Sequence, residues 1–182
     1  AKTGDALLDM ILDVLEEIQT APEREDASSL PFLAALEDED PVQQWLAEQL
    51  NLRANGRFKG LREPQVAGGN KPDITVSSTA APVNVAIEVK HGGKPWSVRQ
   101  LEGALIRQLA EKYLKPDDRR WGILVVTHHG KRTWRHPDTR KKMEFSDVIE
   151  HLKRLASETK TDQFGAIQVR VCGVDASVRA GG

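Results

Sequence analysis

The stretch "VNVAIEVKHGG", residues 83–93, decides the fold, because it sets an acid and a base two residues apart in an apolar, β-branched run. Side chains alternate between the two faces of a β-strand. Glu88 and Lys90 therefore share one face, while Val85, Ile87 and Val89 share the other. The stretch predicts a core strand that also carries a polar site.

An extended segment before this strand, "PDITVS" at residues 72–77, begins with a second acid, Asp73. The turn residues "STAAP" separate the two segments, so we expect a hairpin that brings the carboxylate of Asp73 beside Glu88. Two neighbouring carboxylates repel unless a cation is present, and oxygen ligands suit Mg²⁺. The alternative interpretation is that Asp73 caps a turn, while Glu88 and Lys90 form a surface ion pair that contributes about 0–1 kcal/mol.

The elements around these two segments predict the fold class. "REPQVA", residues 62–67, is expected to form a first strand, which makes an antiparallel meander of three. Residues 95–114 predict a long helix, 121–126 a strand covered on both faces, 146–157 a helix and 166–171 a last strand. This order favours an α/β protein, a three-layer α/β/α sandwich with a mixed central sheet.

The N-terminal part is expected to be separate from this core. Residues 5–18 place leucine and isoleucine at helical spacing with acids on the other side, which predicts an amphipathic helix, and a linker follows to residue 36. A further helix is indicated by Asp40 as N-cap, Pro41 at the first helical position and Gln43 at the capping-box position. This places Glu39 at the start of a helix.

Charge is distributed unevenly along the chain. Residues 1–50 hold 13 acidic and two basic residues, although the net charge of all 182 residues is only −1. The basic remainder is suited to polyanions, above all nucleic acid. The loop at 131–142 is expected to contact phosphates through Lys131, Arg132, Arg135, Arg140, Lys141 and Lys142, and the alternative interpretation is an ordinary solvated loop. Its Trp134 is expected to pack on the domain, with stacking on a base as the alternative.

Several other classes of protein find little support in the sequence. The single cysteine, Cys172, lies in the apolar run "VRVCGV" and is expected to be a reduced core thiol. His128, His129 and His136 lack the spacing of a zinc site. No apolar run reaches a membrane span and no leader is evident, so we expect a cytoplasmic protein without a membrane partner.

At this point the residues resemble a known family. "PD" at 72–73, a gap of 14 residues and "EVK" at 88–90 resemble the signature of the PD-(D/E)XK nuclease superfamily. The hairpin, the following helix and the apolar strand "WGILVV" extend the resemblance over about residues 37–127. It implies a restriction-endonuclease-like core within residues 37–182 and cleavage of DNA that depends on Mg²⁺, for which Mn²⁺ can substitute. In this family Asp73 and Glu88 would bind the metal, and Lys90 would be the catalytic lysine.

The resemblance implies further site residues at weaker matches. Many members carry an acid on the first core helix, and Glu39 matches that position, with Glu48 as the alternative. Glu63 would be an additional metal ligand, and the interpretation as a surface acid stays open. Gln108 and Tyr113 resemble a catalytic Gln and Tyr of some branches, but their spacing departs by one residue.

The resemblance also implies partners and a biological role. We expect double-stranded DNA as the substrate, an effector role in bacterial defence or restriction, and gating by a sensor domain of a longer parent chain or by a homo-oligomer. The helix at 5–18 would then join the sensor or a second protomer. The rival interpretation is a non-catalytic nucleic-acid-binding or protein-assembly module on the same fold.

Overall fold

A computed structural model describes residues 1–20, 30–62, 71–114, 120–159 and 167–177. The helices are α1 (Gly4–Thr20), α2 (Leu30–Ala34), α3 (Glu39–Arg53), α4 (Val98–Gly103), a π-helix (Ala104–Tyr113) and α5 (Phe145–Glu158). The strands are β1 (Phe58–Arg62), β2 (Ile74–Ser78), β3 (Asn84–His91), β4 (Trp121–His128), β5 (Trp134–Arg135), β6 (Lys142–Met143) and β7 (Gln168–Asp175).

Five strands form one mixed sheet in the order β1-β2-β3-β4-β7. The pairs β1–β2 and β2–β3 are antiparallel, whereas β3–β4 and β4–β7 are parallel, because a helix lies between the partners of each parallel pair along the chain. The mixed α/β class and the antiparallel meander are therefore confirmed. The first strand was expected too late in the chain: β1 ends at Arg62, and residues 63–67 lie outside the described residues.

The hydrophobic core consists of two clusters that use alternate residues of the strands. Val89 and Val125 pack in a cluster with α1, α2 and α3, while Leu124 and Val126 pack in a cluster with α4, the π-helix and α5. Adjacent residues of β4 thus serve different clusters, which explains why residues 121–126 form a continuous apolar run.

Helix α1 takes part directly in this core. Its apolar side packs in the same cluster as α3 and the sheet through Leu7, Leu8, Ile11, Val14, Leu15 and Ile18. Its exposed side carries the acidic residues. The apolar face of this helix is therefore buried within the chain, and a sensor or second protomer that joined it would contact its exposed acidic side. In the described ranges, no helix is long and apolar enough to cross a membrane.

The start of α3 differs from the prediction by two residues. The helix begins at Glu39 with Asp38 as N-cap, and Asp40 lies inside the first turn. Gln43 does not close a capping box: it is buried, and its Oε1 accepts a hydrogen bond from Arg62 at 3.4 Å. Asp40 instead forms an ion pair with Arg62 at 2.7 Å. The prediction that Glu39 lies at a helix start is nonetheless correct.

The long helix predicted after the lysine is not uniform. It begins as α4, where Ser97 and Gln100 form a capping box, and continues as a π-helix from Ala104 to Tyr113. In a π-helix each backbone hydrogen bond joins residues five apart, so the hydrogen-bonded turn contains one residue more than in an α-helix. Gln108 and Tyr113 are five residues apart and therefore lie about one turn apart on this helix. Their unusual spacing matches the local helix type.

Candidate active site

Three elements, β2, β3 and α3, bring four charged residues together, and we call Glu39, Asp73, Glu88 and Lys90 the charged cluster. The register of β2 and β3 pairs Ile74 with Ile87, which places Asp73 opposite Glu88. Lys90 Nζ donates a hydrogen bond to Glu88 Oε1 at 2.8 Å. The first residue of α3 completes the group, because Glu39 Oε2 lies 3.8 Å from Lys90 Nζ.

Three members of the charged cluster are buried. Asp73, Glu88 and Lys90 expose only 4%, 2% and 7% of their surface. Asp73 Oδ2 accepts a hydrogen bond from the backbone N–H of Val89 at 2.7 Å. Glu88 Oε2, by contrast, is buried and accepts no hydrogen bond in the described part of the chain. The ion pair of Glu88 and Lys90 is therefore buried and does not lie at the surface, as the alternative interpretation assumed. Desolvated charges are costly and need a compensating partner.

The electrostatics of the charged cluster follow from this burial. Desolvation raises the pKa of Asp73. Desolvation, followed by the charge of Asp73, raises the pKa of Glu88 to about 7. Desolvation opposes the charge of Lys90, but the carboxylates of Glu88 and Glu39 outweigh it and raise the pKa of the amine. Lys90 therefore stays protonated at neutral pH. The raised pKa values of Asp73 and Glu88 mean that a bound proton or a further cation near them would be favourable.

Glu39 is held by groups at the end of β3 and in the turn that follows it. The indole Nε1 of Trp96 donates to Glu39 Oε1 at 2.9 Å, and the backbone N–H of His91 donates to the same oxygen at 3.3 Å. This leaves Oε2 directed at Lys90. The Trp96 ring also lies 5.2 Å from Lys90 Nζ, within the range of a cation–π contact. Trp96 was not predicted as a site residue, although it lies between the strand that carries the lysine and the capping box at Ser97.

The π-helix adds a tyrosine to the site. Tyr113 is buried, and desolvation, followed by the negative charges of Glu88 and Asp73, raises the pKa of its phenol. The hydroxyl therefore lies near both carboxylates and stays protonated. Gln108 is half-buried on the same helix, and no hydrogen bond joins it to the charged cluster among the residues described.

The other acids expected at the site are placed as follows. Glu48 lies on the exposed side of α3, where it accepts a hydrogen bond from Gln44 at 2.6 Å. Of the two candidates on this helix, the structure brings only Glu39 to Lys90. Glu63 lies outside the described residues.

Histidines support the turn behind the lysine. His91 Nε2 lies 2.7 Å from the carbonyl of Leu36, and its Nδ1 accepts from Gly93 N–H at 2.9 Å, so Nε2 carries the proton. The His129 ring stacks on His91 at 3.8 Å between centroids. Desolvation, followed by the influence of His91, lowers the pKa of His129 to about 4. The His129 ring therefore serves as a neutral packing group beside the site.

Two residues of the basic loop are structural. Arg132 Nη2 donates to the carbonyl of Trp96 at 2.9 Å, and its Nη1 donates to that of Gly92 at 3.3 Å. Trp134 is buried and donates its indole N–H to the same Trp96 carbonyl at 3.1 Å. The predicted packing role of Trp134 is confirmed. These contacts fasten the loop to the turn that also holds Glu39.

The exposed cations of the loop line a groove of about 650 Å³ next to Trp96. Its charged lining consists of Arg99, Arg132, Arg135, Arg140 and Lys142, and no acid lines it in the described part of the chain. Arg99 was missed because it lies on α4, far from the loop in sequence. Lys131 and Lys141 are exposed and lie outside this lining.

The described ranges contain no group of three or more His, Cys, Asp or Glu side chains arranged to hold a metal ion. The charged cluster therefore provides two adjacent buried carboxylates, Asp73 and Glu88, and a third acid, Glu39, that is already engaged by N–H donors. A cation bound here would need water or substrate oxygens to complete its coordination.

Cys172 is partly buried on β7, and desolvation raises the pKa of its thiol to about 11. A thiol with this pKa is a poor nucleophile at neutral pH, as expected. The charged cluster is the strongest candidate for chemistry in this chain. Comparisons with protein-family models, with curated proteins and with solved structures found no match.

Proposed function

We propose that this chain is a metal-dependent nuclease that hydrolyses phosphodiester bonds of DNA. The observation that carries the proposal is the burial of Asp73 and Glu88 side by side, with Lys90 in contact with Glu88 at 2.8 Å. The arrangement of two core clusters around one sheet supports a three-layer α/β/α sandwich with a restriction-endonuclease-like core. Both statements rest on the resemblance and on the geometry of the charged cluster together.

The two carboxylates fit a hard divalent cation. Mg²⁺ prefers oxygen ligands, keeps several waters and needs only one or two protein carboxylates when substrate phosphates are present. Glu88 Oε2 is buried without a hydrogen bond in the described part of the chain, which is the state expected of an oxygen available to a cation. Asp73 and Glu88 would hold Mg²⁺ or Mn²⁺. Such an ion polarises a phosphoryl oxygen and lowers the pKa of a bound water.

Lys90 and Glu39 would position charge and protons around this centre. Because the pKa of Lys90 is raised, its ammonium stays protonated and can balance negative charge that develops on the phosphoryl oxygen. Glu39 Oε2 faces the same ammonium, while Oε1 is fixed by Trp96 and His91. The ammonium is thus oriented by two carboxylates at one end of the strand, which limits its freedom before substrate arrives.

The basic groove would bind the substrate backbone. Arg99 and Lys142 form exposed ion pairs with Asp138 at 2.9 Å and with Glu144 at 2.6 Å. Such exposed pairs are weak, so the groove cations can still attract phosphates irrespective of base sequence. The groove shares Trp96 with the charged cluster, so a strand bound along the groove runs toward Lys90. Double-stranded DNA is the polyanion that we propose, in a role in bacterial defence or restriction that only the resemblance supports.

The decisive experiment is a cleavage assay on supercoiled, linear and single-stranded DNA with Mg²⁺, Mn²⁺ or EDTA. We expect nicking or linearisation with metal, and a loss of at least about 10³-fold in Asp73→Asn, Glu88→Gln and Lys90→Ala, because each removes a group that positions the reaction. Glu150→Gln is the matched control, since its carboxylate forms an exposed ion pair with Lys153 at 3.1 Å on α5.

Two outcomes would contradict the nuclease. A folded wild type that cuts none of the three DNA forms in either metal would favour the non-catalytic nucleic-acid-binding module. Equal activity of Glu88→Gln and Glu150→Gln would show that the buried carboxylates take no part in the reaction.

A further inference from the structure

Strand β7 forms an open edge of the sheet. Among the strands of the described residues it pairs only with β4, and its ladder begins with Gln168 N–H donating to Arg120 O at 2.7 Å and ends with Ala176 N–H donating to His128 O at 2.9 Å. Strand residues alternate in the direction of their backbone groups, so the even positions face β4. The odd positions face away from the sheet, and these are Val169, Val171, Gly173 and Asp175.

One end of this edge already pairs with an amide group. The side chain of Gln19, on α1, accepts from the N–H of Asp175 at 2.7 Å and donates to its carbonyl at 3.1 Å. A neighbouring β-strand would offer the same donor and acceptor. At Val169, Val171 and Gly173, the outward backbone groups have only local hydrogen bonds in the described part of the chain. Arg170 donates to Val169 O at 3.2 Å, and the Cys172 thiol donates to Gly173 O at 3.7 Å.

A groove of about 930 Å³ lies along this edge. One wall belongs to α1 and contains Leu12, Leu15 and Glu16, and the other belongs to α5 and contains Phe145, Ile149 and Ala156. The floor is β7 itself, with its outward backbone groups. An extended chain is the occupant that matches this shape, because its backbone can pair with the floor while alternate side chains reach the two walls.

Charge distinguishes the two walls. Helix α1 carries five acids and no lysine or arginine. Lysine side chains can lie along apolar surface with their ammonium in water, so they suit a wall where Leu12 and Leu15 neighbour Glu16. The α5 wall also contains Glu150 and Lys153, but these two pair with each other at 3.1 Å, so the rest of this wall is suited to apolar side chains. The occupant that fits both walls has basic and apolar residues in alternation.

We propose that the β7 edge accepts an extended segment of another protein, with alternating basic and apolar residues, as a sixth strand of the sheet. This proposal does not depend on the nuclease activity. A second copy of this chain is disfavoured as the occupant. Antiparallel pairing of two β7 strands about a two-fold axis keeps each face of the sheet on its own side, which would set two acidic α1 helices next to each other.

The first test uses a fluorescent Lys-Val-Lys-Val-Lys-Val-Lys peptide and the whole chain, with affinity followed by fluorescence polarisation. Two further peptides have the same sequence and charge but carry N-methyl groups on backbone nitrogens. One is methylated at the backbone nitrogen of each valine, and the other at the backbone nitrogen of each lysine. Strand addition requires that one methylated peptide bind at least about tenfold more weakly while the other binds as before. If the peptide adds antiparallel to β7, its valine backbone N–H groups face β7, so methylation at valine weakens binding. If it adds parallel to β7, its lysine backbone N–H groups face β7, so methylation at lysine weakens binding.

The second test uses protein variants. Glu16→Lys should weaken binding of the peptide roughly threefold to fivefold, because Glu16 lines the groove. Glu17→Lys makes the same charge change, but Glu17 faces Arg53 of α3 at 3.5 Å and should have little effect. Hydrogen exchange should show new protection at the amides of Val169, Val171 and Gly173 only.

Three results would overturn the proposal. The first is the absence of peptide binding. The second is equal binding of all three peptides, which would indicate plain electrostatic attraction to an acidic helix. The third is protection of the three edge amides without peptide, together with a concentration-dependent dimer in sedimentation, which would show that a second copy covers the edge.

Discussion

The charged cluster and the basic loop are both rich in charge, yet they differ in solvation. Glu88 and Lys90 are almost fully buried and lie 2.8 Å apart, so each strongly perturbs the other. Arg135 and Lys141 are exposed, and water and salt screen them. Desolvated charges interact strongly enough to hold a metal or steer a proton, whereas solvated charges supply affinity for a polyanion. Burial, more than the number of charges, distinguishes the two regions.

The largest expected effect tests the buried charges through stability. Lys90→Ala should lower the free energy of unfolding in EDTA by about 3 kcal/mol, because it leaves buried acids without their cation. Glu88→Gln should match or exceed wild-type stability in EDTA, because it removes one of the repelling charges at nearly constant shape. Thermal unfolding with and without Ca²⁺ or Mg²⁺ measures both.

Metal sharpens the same comparison. The free energy of unfolding of the wild type should rise by about 1.4 kcal/mol when the metal concentration is ten times its Kd, whereas that of Glu88→Gln should rise much less. If Glu88→Gln melts well below wild type in EDTA and gains as much from metal, the carboxylate is only a structural hydrogen-bond acceptor, and the cluster loses its proposed role.

The next largest effect concerns the exposed cations. The triple change of Arg135, Lys141 and Lys142 to alanine should weaken DNA binding about tenfold to a hundredfold and lower the salt slope by about 0.9 for each phosphate that is no longer neutralised. The melting temperature of this triple variant should stay nearly constant.

Arg132→Ala should instead lower the melting temperature, since the Arg132 guanidinium donates hydrogen bonds to the carbonyls of Trp96 and Gly92. Titrations at several salt concentrations distinguish the two classes, and an unchanged slope in the triple variant would make the loop an ordinary solvated surface.

Trp96 connects the two regions and should show a smaller, more specific effect. Trp96→Phe keeps the ring near Lys90 but removes the N–H that fixes Glu39, so kcat should fall about tenfold while the Kd for DNA stays constant. Trp134→Phe is the matched control, because it removes an indole N–H that bonds the Trp96 carbonyl and leaves Glu39 untouched. A change in DNA affinity without a change in kcat would assign Trp96 to the groove alone.

The smallest expected effect is on the pH dependence of folding. The pKa of His129 is about 4 in the folded protein against a reference value of 6.5, so the unfolded chain binds the extra proton between these pH values. The stability that neutral His129 contributes is present above pH 6.5 and is lost as the pH falls toward 4. His129→Gln should flatten the decline in stability from pH 7 to 5 by about 1 kcal/mol. Chemical denaturation at each pH measures this, and parallel curves would contradict it.

The sequence predicted the charged pair because its signal is local. A strand with period two fixes Glu88 and Lys90 on one face whatever surrounds it, and a short turn leaves few registers in which Asp73 could meet them. The same reasoning failed for the first strand and for the N-cap of α3. Asp38 and Asp40 are equally good cap residues, and the ion pair between Asp40 and Arg62 joins residues far apart in sequence.

From its residues alone, this chain determines which strands have a charged face, where the acids and bases concentrate and in which order helices follow strands. These properties depend on backbone geometry and on solvation of neighbouring side chains, which act within a few residues. Tertiary structure alone decided that Trp96 holds Glu39, that Arg132 fastens a loop and that Gln19 closes one end of β7. Each of these bonds joins residues that are distant in sequence, and only packing of the whole core sets which distant donor reaches which acceptor.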